Sequence, residues 1–310
     1  FRFLNLIYIS FMKSDKSFVL GIILGLIGII LFSSKAVLVK LAYHYHVDAV
    51  SVLMFRMLFS FPFYLVIALL YRNKNNGVEL VKKDYVWLIF FGIVGYYLSS
   101  YFDFVGLIYI KASLERIILF IYPTIVILFN KIFLKQSVSK DQVYAIILTY
   151  VGIIIAFGDE VAISGHDAYL GGFFILLCAI SYAAYLSGSG WLIPKFGVVK
   201  FTAHVMIVSC LCVFLHYGIT NKIDLLNYPR EVYILGFLIA IFATVIPSFL
   251  VSWSIQLISS SNFAVIAAVG PISTIILAAI FLNERLTLLQ LLGAFAVIIG
   301  ISLVSLKKIK

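Results

Sequence analysis

Long apolar runs recur along this chain at near-regular intervals, each about the length of a membrane-crossing helix and each followed by a short polar loop. A helix needs about 20 mostly apolar residues to cross a bilayer. The runs predict ten spans, at 18–43, 49–71, 85–109, 112–134, 141–158, 169–190, 198–218, 232–257, 261–282 and 288–306. The 310 residues are 64% hydrophobic and 12% charged. Soluble domains average about 45–50% and 25%. A soluble globular fold is excluded because too little polar surface remains to cover such a core, and disorder is excluded on the same ground. A membrane β-barrel would show short alternating segments instead of long runs. The expected fold class is therefore all-α integral membrane.

The net charge of +10 follows from basic loops, not from a basic face, so no nucleic-acid partner is expected. With the N-terminus placed in the cytoplasm, fourteen Lys and Arg fall on inner segments and four (Lys111, Lys222, Arg230, Arg285) on outer ones. That asymmetry puts both termini in the cytoplasm of a bacterial inner, or plasma, membrane and requires an even number of spans. Met12 opens a stretch more typical of a membrane-protein start, so residues 1–11 read as an upstream extension, 1–17 as a cytoplasmic segment, and no cleavable signal peptide is expected. Cys178, Cys210 and Cys212 sit inside apolar runs with no His cluster beside them, which argues against a disulfide framework or a metal site.

The sequence repeats itself. Shifted by 148 residues, Pro123 falls on Pro271, Leu134 on Leu282, Gln142 on Gln290 and Gly152 on Gly300, with 12 identities in 64 ungapped positions. The offset covers five spans, an odd number, so the copies at 18–158 and 169–306 are expected to lie upside down relative to each other. Such inverted repeats suit alternating access.

Ionisable residues inside spans are costly and mark function by default. Lys35, Lys40, Arg56, Asp103, Glu115, Arg116 and Lys131 lie in or at the edge of the spans, all in the first half, whereas the spans of the second half carry only His204 and His216. Span direction places all but Lys131 in one outer depth zone, four basic and two acidic. Two readings stay open: a structural cluster in which Asp103 and Glu115 neutralise Arg56 and Arg116, or an outer gate or wall of a substrate path. In the second reading the surplus of two positive charges favours an anionic or zwitterionic substrate, and Asp103 or Glu115 is where a coupling proton or ion would act.

Pro123 and Pro271, being repeat-related, are hinge candidates beside Pro62 and Pro247. Tyr96, Tyr97, Tyr101, Ser181, Tyr182, Tyr185, Trp253 and Gln256 are candidate cavity-lining residues, with anchoring and packing as the competing role, and for Gln256 an interhelical hydrogen bond. The glycines at 171, 172, 188 and 190 read as close helix packing. No Gly-x-Ser-Gly nucleophile motif and no Walker pattern occurs, so no enzyme activity, nucleotide or other cofactor is expected.

Residues 268–304, AVGPISTIILAAIFLNERLTLLQLLGAFAVIIGISLV, resemble the EamA branch of the drug/metabolite transporter superfamily: a proline in the ninth span, an apolar run, Glu-Arg-Leu, then a tenth span with spaced glycines. The first copy has Leu-Lys-Gln-Ser-Val-Ser at 134–139 in place of the Glu-Arg-Leu turn. Residues 101–128 are similar to a subgroup with an acidic third span and a Leu-Glu-Arg start to the fourth. The resemblance covers about 18–306 and implies ten helices, export or exchange of a small metabolite, and a central cavity walled by spans 1, 3, 4, 6, 8 and 9. A sensor or assembly protein built on the same scaffold is the alternative.

Overall fold

The computed structural model describes residues 15–71, 80–134, most of 144–159, 165–220, 225–267 and 269–306. The turn at 135–139, the loop lysines beyond 134 and both terminal segments lie outside the described residues. Among the described residues the protein is helical throughout, with no strand. We label the helices α1 (Asp15–Tyr43), α2 (Ala49–Leu70), α3 (Lys82–Phe91), α4 (Ser99–Tyr109), α5 (Ala112–Leu119), α6 (Tyr122–Leu134), α7 (His166–Phe196), α8 (Val198–Thr220), α9 (Arg230–Ala240), α10 (Ile246–Ile266), α11 (Val269–Phe281) and α12 (Leu288–Leu306). The described residues of 144–159 are helical as well. Among the described residues, seven stretches are long and apolar enough to cross a membrane. These are α1, α2, α7, α8, and three composites: Lys82–Tyr109, Ala112–Phe133 and Arg230–Ala264.

The composites are informative because their joints recur. A π-helical turn at Gly92–Leu98 joins α3 to α4, and one at Ile241–Val245 joins α9 to α10. The start of α3 at 82 and of α9 at 230 differ by the 148 residues of the sequence repeat. The break at Ile110–Lys111, between α4 and α5, maps by the same shift onto Ile258–Ser259, where Ser259 takes φ 75° within α10. Ile121, in the turn between α5 and α6, maps onto Val269, the first residue of α11. The repeat is thus written in backbone irregularities as well as in side chains.

Several boundaries differ from the apolar pattern. One coincides with it: the break expected between 257 and 261 falls at Ser259, whose φ of 75° kinks α10 into two helical pieces. The span 112–134 is two helices. Pro123 is the second residue of α6 and Pro271 the third of α11. In a first turn the missing N–H costs no helical bond, so neither proline kinks an otherwise continuous helix. Pro247 follows the π turn, which absorbs its missing donor; Pro62 alone lies mid-helix in α2.

Local caps and turns fix the connections between helices. Asp48 Oδ1 accepts from Val50 N at 3.0 Å and Ser51 N at 2.9 Å and so starts α2. Gly197, at φ 78°, turns α7 into α8 in a conformation that side chains oppose. Small residues let helices touch. A Cβ on Gly106 would meet Ile175 and the Gly171 carbonyl, and one on Gly171 would meet Ile110. α4 and α7 therefore lie backbone to backbone. α1 packs on α10 and α11, and α8 and α9 pack on α2. The centre of the bundle is where α1, α4, α5, α7, α10 and α11 converge.

Candidate functional site

An ionic cluster and a small cavity share that centre. Lys35 projects from α1 and Asp103 from α4, and their charged ends meet at 2.6 Å, both buried. Glu115 and Arg116 are neighbours in α5, with Arg116 Nε 3.7 Å from Glu115 Oε2. The Asp103 and Glu115 carboxyl groups lie within reach of each other. No hydrogen-bond donor reaches either Glu115 oxygen among the described residues. Arg116 also donates to Thr274 Oγ1 at 3.1 Å and to the Phe32 carbonyl at 3.4 Å. Burying such charges is tolerable only when they are paired and hydrogen-bonded. Arg116 meets both conditions, and Lys35 and Asp103 meet the first through their ion pair.

The start of α5 explains how Glu115 and Arg116 are held. Lys111 precedes the helix but offers no capping side chain. A residue from the other half supplies the cap. Glu284 takes Ala112 N at 2.9 Å, Ser113 N at 3.1 Å and Ser113 Oγ at 2.5 Å. A carboxylate at a helix N-terminus satisfies orphan amides and the positive end of the helix dipole together. This is the glutamate of the Glu-Arg-Leu turn.

Arg56 behaves differently from the expectation. It is fully buried, yet its partners are neutral: Nε donates to Thr244 Oγ1 at 2.7 Å and Nη1 to Ser100 Oγ at 2.7 Å. Nη2 has no hydrogen-bond partner, and the guanidinium stands 5.6 Å from the Phe104 ring centroid. The pairing of Arg56 with a carboxylate is therefore corrected: Asp103 is taken by Lys35, and no described carboxylate comes within ion-pair distance of Arg56. Lys40, half-buried in the last turn of α1, lies five residues beyond Lys35.

The cavity measures about 40 Å³ and is lined by Lys35, Arg116, Tyr96, Ser99, Ser100, Tyr122, Cys178 and Tyr182 among others. That is room for two or three waters, so nothing of metabolite size enters without movement of the surrounding helices. Rings form its wall: Tyr122 and Tyr182 meet edge to face at 5.1 Å, and Tyr182 stacks with Phe32 at 6.3 Å. Tyr185 lies behind Tyr182 and meets Tyr96 at 4.8 Å. Gly95 is needed here, because a Cβ would enter the Tyr185 ring.

The other aromatic candidates lie elsewhere. Tyr97 and Tyr101 face α8, where the Tyr97 hydroxyl is 3.2 Å from His216 Nδ1 and Tyr101 packs on the same ring at 4.9 Å. Trp253 packs on Phe249. Gln256 lines a second cleft, about 440 Å³, with Phe18, Gly190, Pro194, Ser259 and Asn262. Its Oε1 is buried with no partner, so the interhelical hydrogen bond expected for it is absent from that oxygen. The reading missed Thr244, Thr274, Ser100, Tyr122 and the capping role of Glu284. Lone hydroxyls in apolar helices carry no sequence signal, and Glu284 sits in a loop far from the span it caps.

Long apolar helices packed around buried, paired charges define an integral membrane protein. The family comparison agrees. The model of the EamA-like transporter family matches residues 19–158 and again 169–306. The chain belongs to that family and is a membrane transporter built of two repeats. It is 32% identical over 295 residues to the uncharacterized transporter YcbK of Bacillus subtilis, covering 94% of each chain. It is 22% identical over 234 residues to an uncharacterized transporter of Archaeoglobus fulgidus, covering 75% of this chain and 82% of that one. A solved crystal structure superposes with a TM-score of 0.67 at 14% identity over 93% of this chain and 98% of the other, a likeness of fold alone.

Proposed function

We propose that the protein moves a small anionic or zwitterionic metabolite across the plasma membrane by alternating access, as an exporter or exchanger. In this reading ten helices form two inverted five-helix repeats at 18–158 and 169–306, with both termini in the cytoplasm and solute bound between the halves. The observation that carries the substrate class is the cavity wall: its two charged residues, Lys35 and Arg116, are both cations. Arg56 stands one hydroxyl behind them, bonded to the Ser100 that lines the same space. Within the central cluster, the buried Lys35, Arg56 and Arg116 stand with Asp103 and Glu115, an excess of one positive charge. A carboxylate or phosphate on the solute would complete the balance. Asp103 and Glu115 are the positions at which a coupling proton or ion would bind.

The two ends of the cavity support alternation between states. Toward one end, Glu284 ties the α11–α12 loop to the start of α5. Toward the other, the polar cleft of Gln256, Ser259 and Asn262 lies next to the α10 segment that supplies Phe263 to the cavity. The test is a thermal-stabilisation screen of purified protein against anionic, zwitterionic and cationic metabolites. Anionic or zwitterionic compounds are expected to raise the melting temperature, and Arg56→Ala to remove the rise. Stabilisation by cations alone would reject the substrate class.

A further inference from the structure

On the outer face of the bundle, away from the cavity, α3, α6 and α7 enclose a trough of about 580 Å³. It is lined by Trp87, Phe90, Phe91, Phe129, Phe133 and Trp191, over a floor of Ala184, Ser187 and Gly188. Phe91 packs directly on Gly188, where a Cβ would enter its ring. The volume falls within the roughly 300–1,000 Å³ of small-ligand sites. The lining is almost wholly aromatic and faces the bilayer, so its occupant is apolar at that depth.

One end of the trough is basic, and each of the three helices contributes to it. Lys82 and Lys83 open α3, both exposed and within five residues of Trp87. Lys131 lies in the last turn of α6, exposed, between Phe129 and Phe133. Lys195 lies in the last turn of α7, with Nζ 4.5 Å from the Trp191 ring centroid. Asp84 is the one acid of these three helices at that end among the described residues, and it is bound to Lys195 at 2.6 Å. Four lysines against one aspartate leave an excess of three positive charges. Trp at this level and Lys just beyond it are the side chains that sit at lipid headgroups. Below them Ser187 Oγ is buried on the trough floor with no hydrogen-bond partner.

We propose that this trough is a binding site for an anionic phospholipid, with one acyl chain along the aromatic groove, its phosphate among Lys82, Lys83, Lys131 and Lys195, and an ester carbonyl accepting from Ser187. Charge complementarity selects this occupant over a neutral lipid, and the apolar groove selects a lipid over a free phosphate.

Three tryptophans make the site directly readable, since two of them, Trp87 and Trp191, line it. The full-length Trp253→Phe protein would be reconstituted in vesicles containing increasing fractions of acyl-brominated phosphatidylglycerol or acyl-brominated phosphatidylcholine, and tryptophan quenching followed. Half-maximal quenching is expected at a several-fold lower fraction of the anionic lipid. Changing Lys82, Lys83 and Lys131 to Gln should bring that curve onto the phosphatidylcholine curve, and Ala184→Phe should reduce quenching by both lipids. Circular dichroism and a monodisperse elution profile establish that each variant is folded. Coincident curves for the two lipids, or an anionic preference that survives removal of the three lysines, would overturn the proposal. So would protection from both quenchers that grows with protein density, which would mean that a second copy covers the trough.

Discussion

The two repeats share a backbone plan and contribute unlike chemistry to the same place. The first supplies every buried charge of the central cluster: Lys35, Arg56, Asp103, Glu115 and Arg116. The second answers with neutral hydroxyls, Thr244 to Arg56 and Thr274 to Arg116, and with one carboxylate, Glu284, that caps the helix carrying Glu115 and Arg116. By the 148-residue shift, Arg56 corresponds to His204, Lys35 to Ala183 and Arg116 to Ala264, and Glu284 to Gln136. The halves share their joints and differ at the buried charges of the central cluster.

That contrast can be broken at graded cost. Asp103→Ala removes the carboxylate from a buried pair and leaves Lys35 uncompensated, which typically costs about 3–5 kcal/mol. A loss of most folded protein, or a large drop in thermal midpoint in detergent, is expected. The double variant Lys35→Met/Asp103→Leu should recover the fold, because replacing both charges with apolar groups is near neutral, while transport stays lost. Recovery of transport along with the fold would assign the pair to structure alone. Thr244→Val takes from Arg56 its contact with the second repeat. Leaving a buried donor unpaired costs about 1–3 kcal/mol, measurable as a lower unfolding midpoint, and Thr244→Ser should restore it. Glu284→Gln keeps the shape of the cap and removes its charge; a cost of about 1 kcal/mol is expected, in the range of helix caps. Its sharper readout is access: a cysteine placed at Ser113 should react faster with a membrane-impermeant thiol reagent once the carboxylate is neutral. Lys40→Gln, at a half-buried helix end, should change stability by no more than about 1 kcal/mol.

The all-helical membrane class, the two repeats and the ionisable residues inside apolar helices were legible in the sequence because each depends on one strong local signal: a long apolar run, a recurring spacing, a charge where charges are expensive. Lys35, Asp103, Glu115 and Arg116 do converge, as their common depth implied. Their pairing was not legible, because depth orders residues along the membrane normal and says nothing about rotation of the helices. Hence Asp103 was assigned to an arginine, when α1 turns Lys35 toward it instead. The same limit separates Tyr96, on the cavity, from Tyr97, one residue on and turned toward His216. The break between 257 and 261 was legible, since Ser259–Ser261 interrupts an apolar run, whereas the division of 112–134 at Phe120–Ile121 was not, since no polar residue marks it.

The account rests on solute meeting the cationic wall of the central cavity. Counterflow in proteoliposomes tests that most directly, comparing the unaltered protein with Arg116→Gln after both are shown to be folded. The unaltered protein should exchange an anionic or zwitterionic metabolite against itself, and the variant should exchange it at least about tenfold more slowly, the loss of one charge-assisted contact. Equal exchange rates in the two proteins would contradict the account.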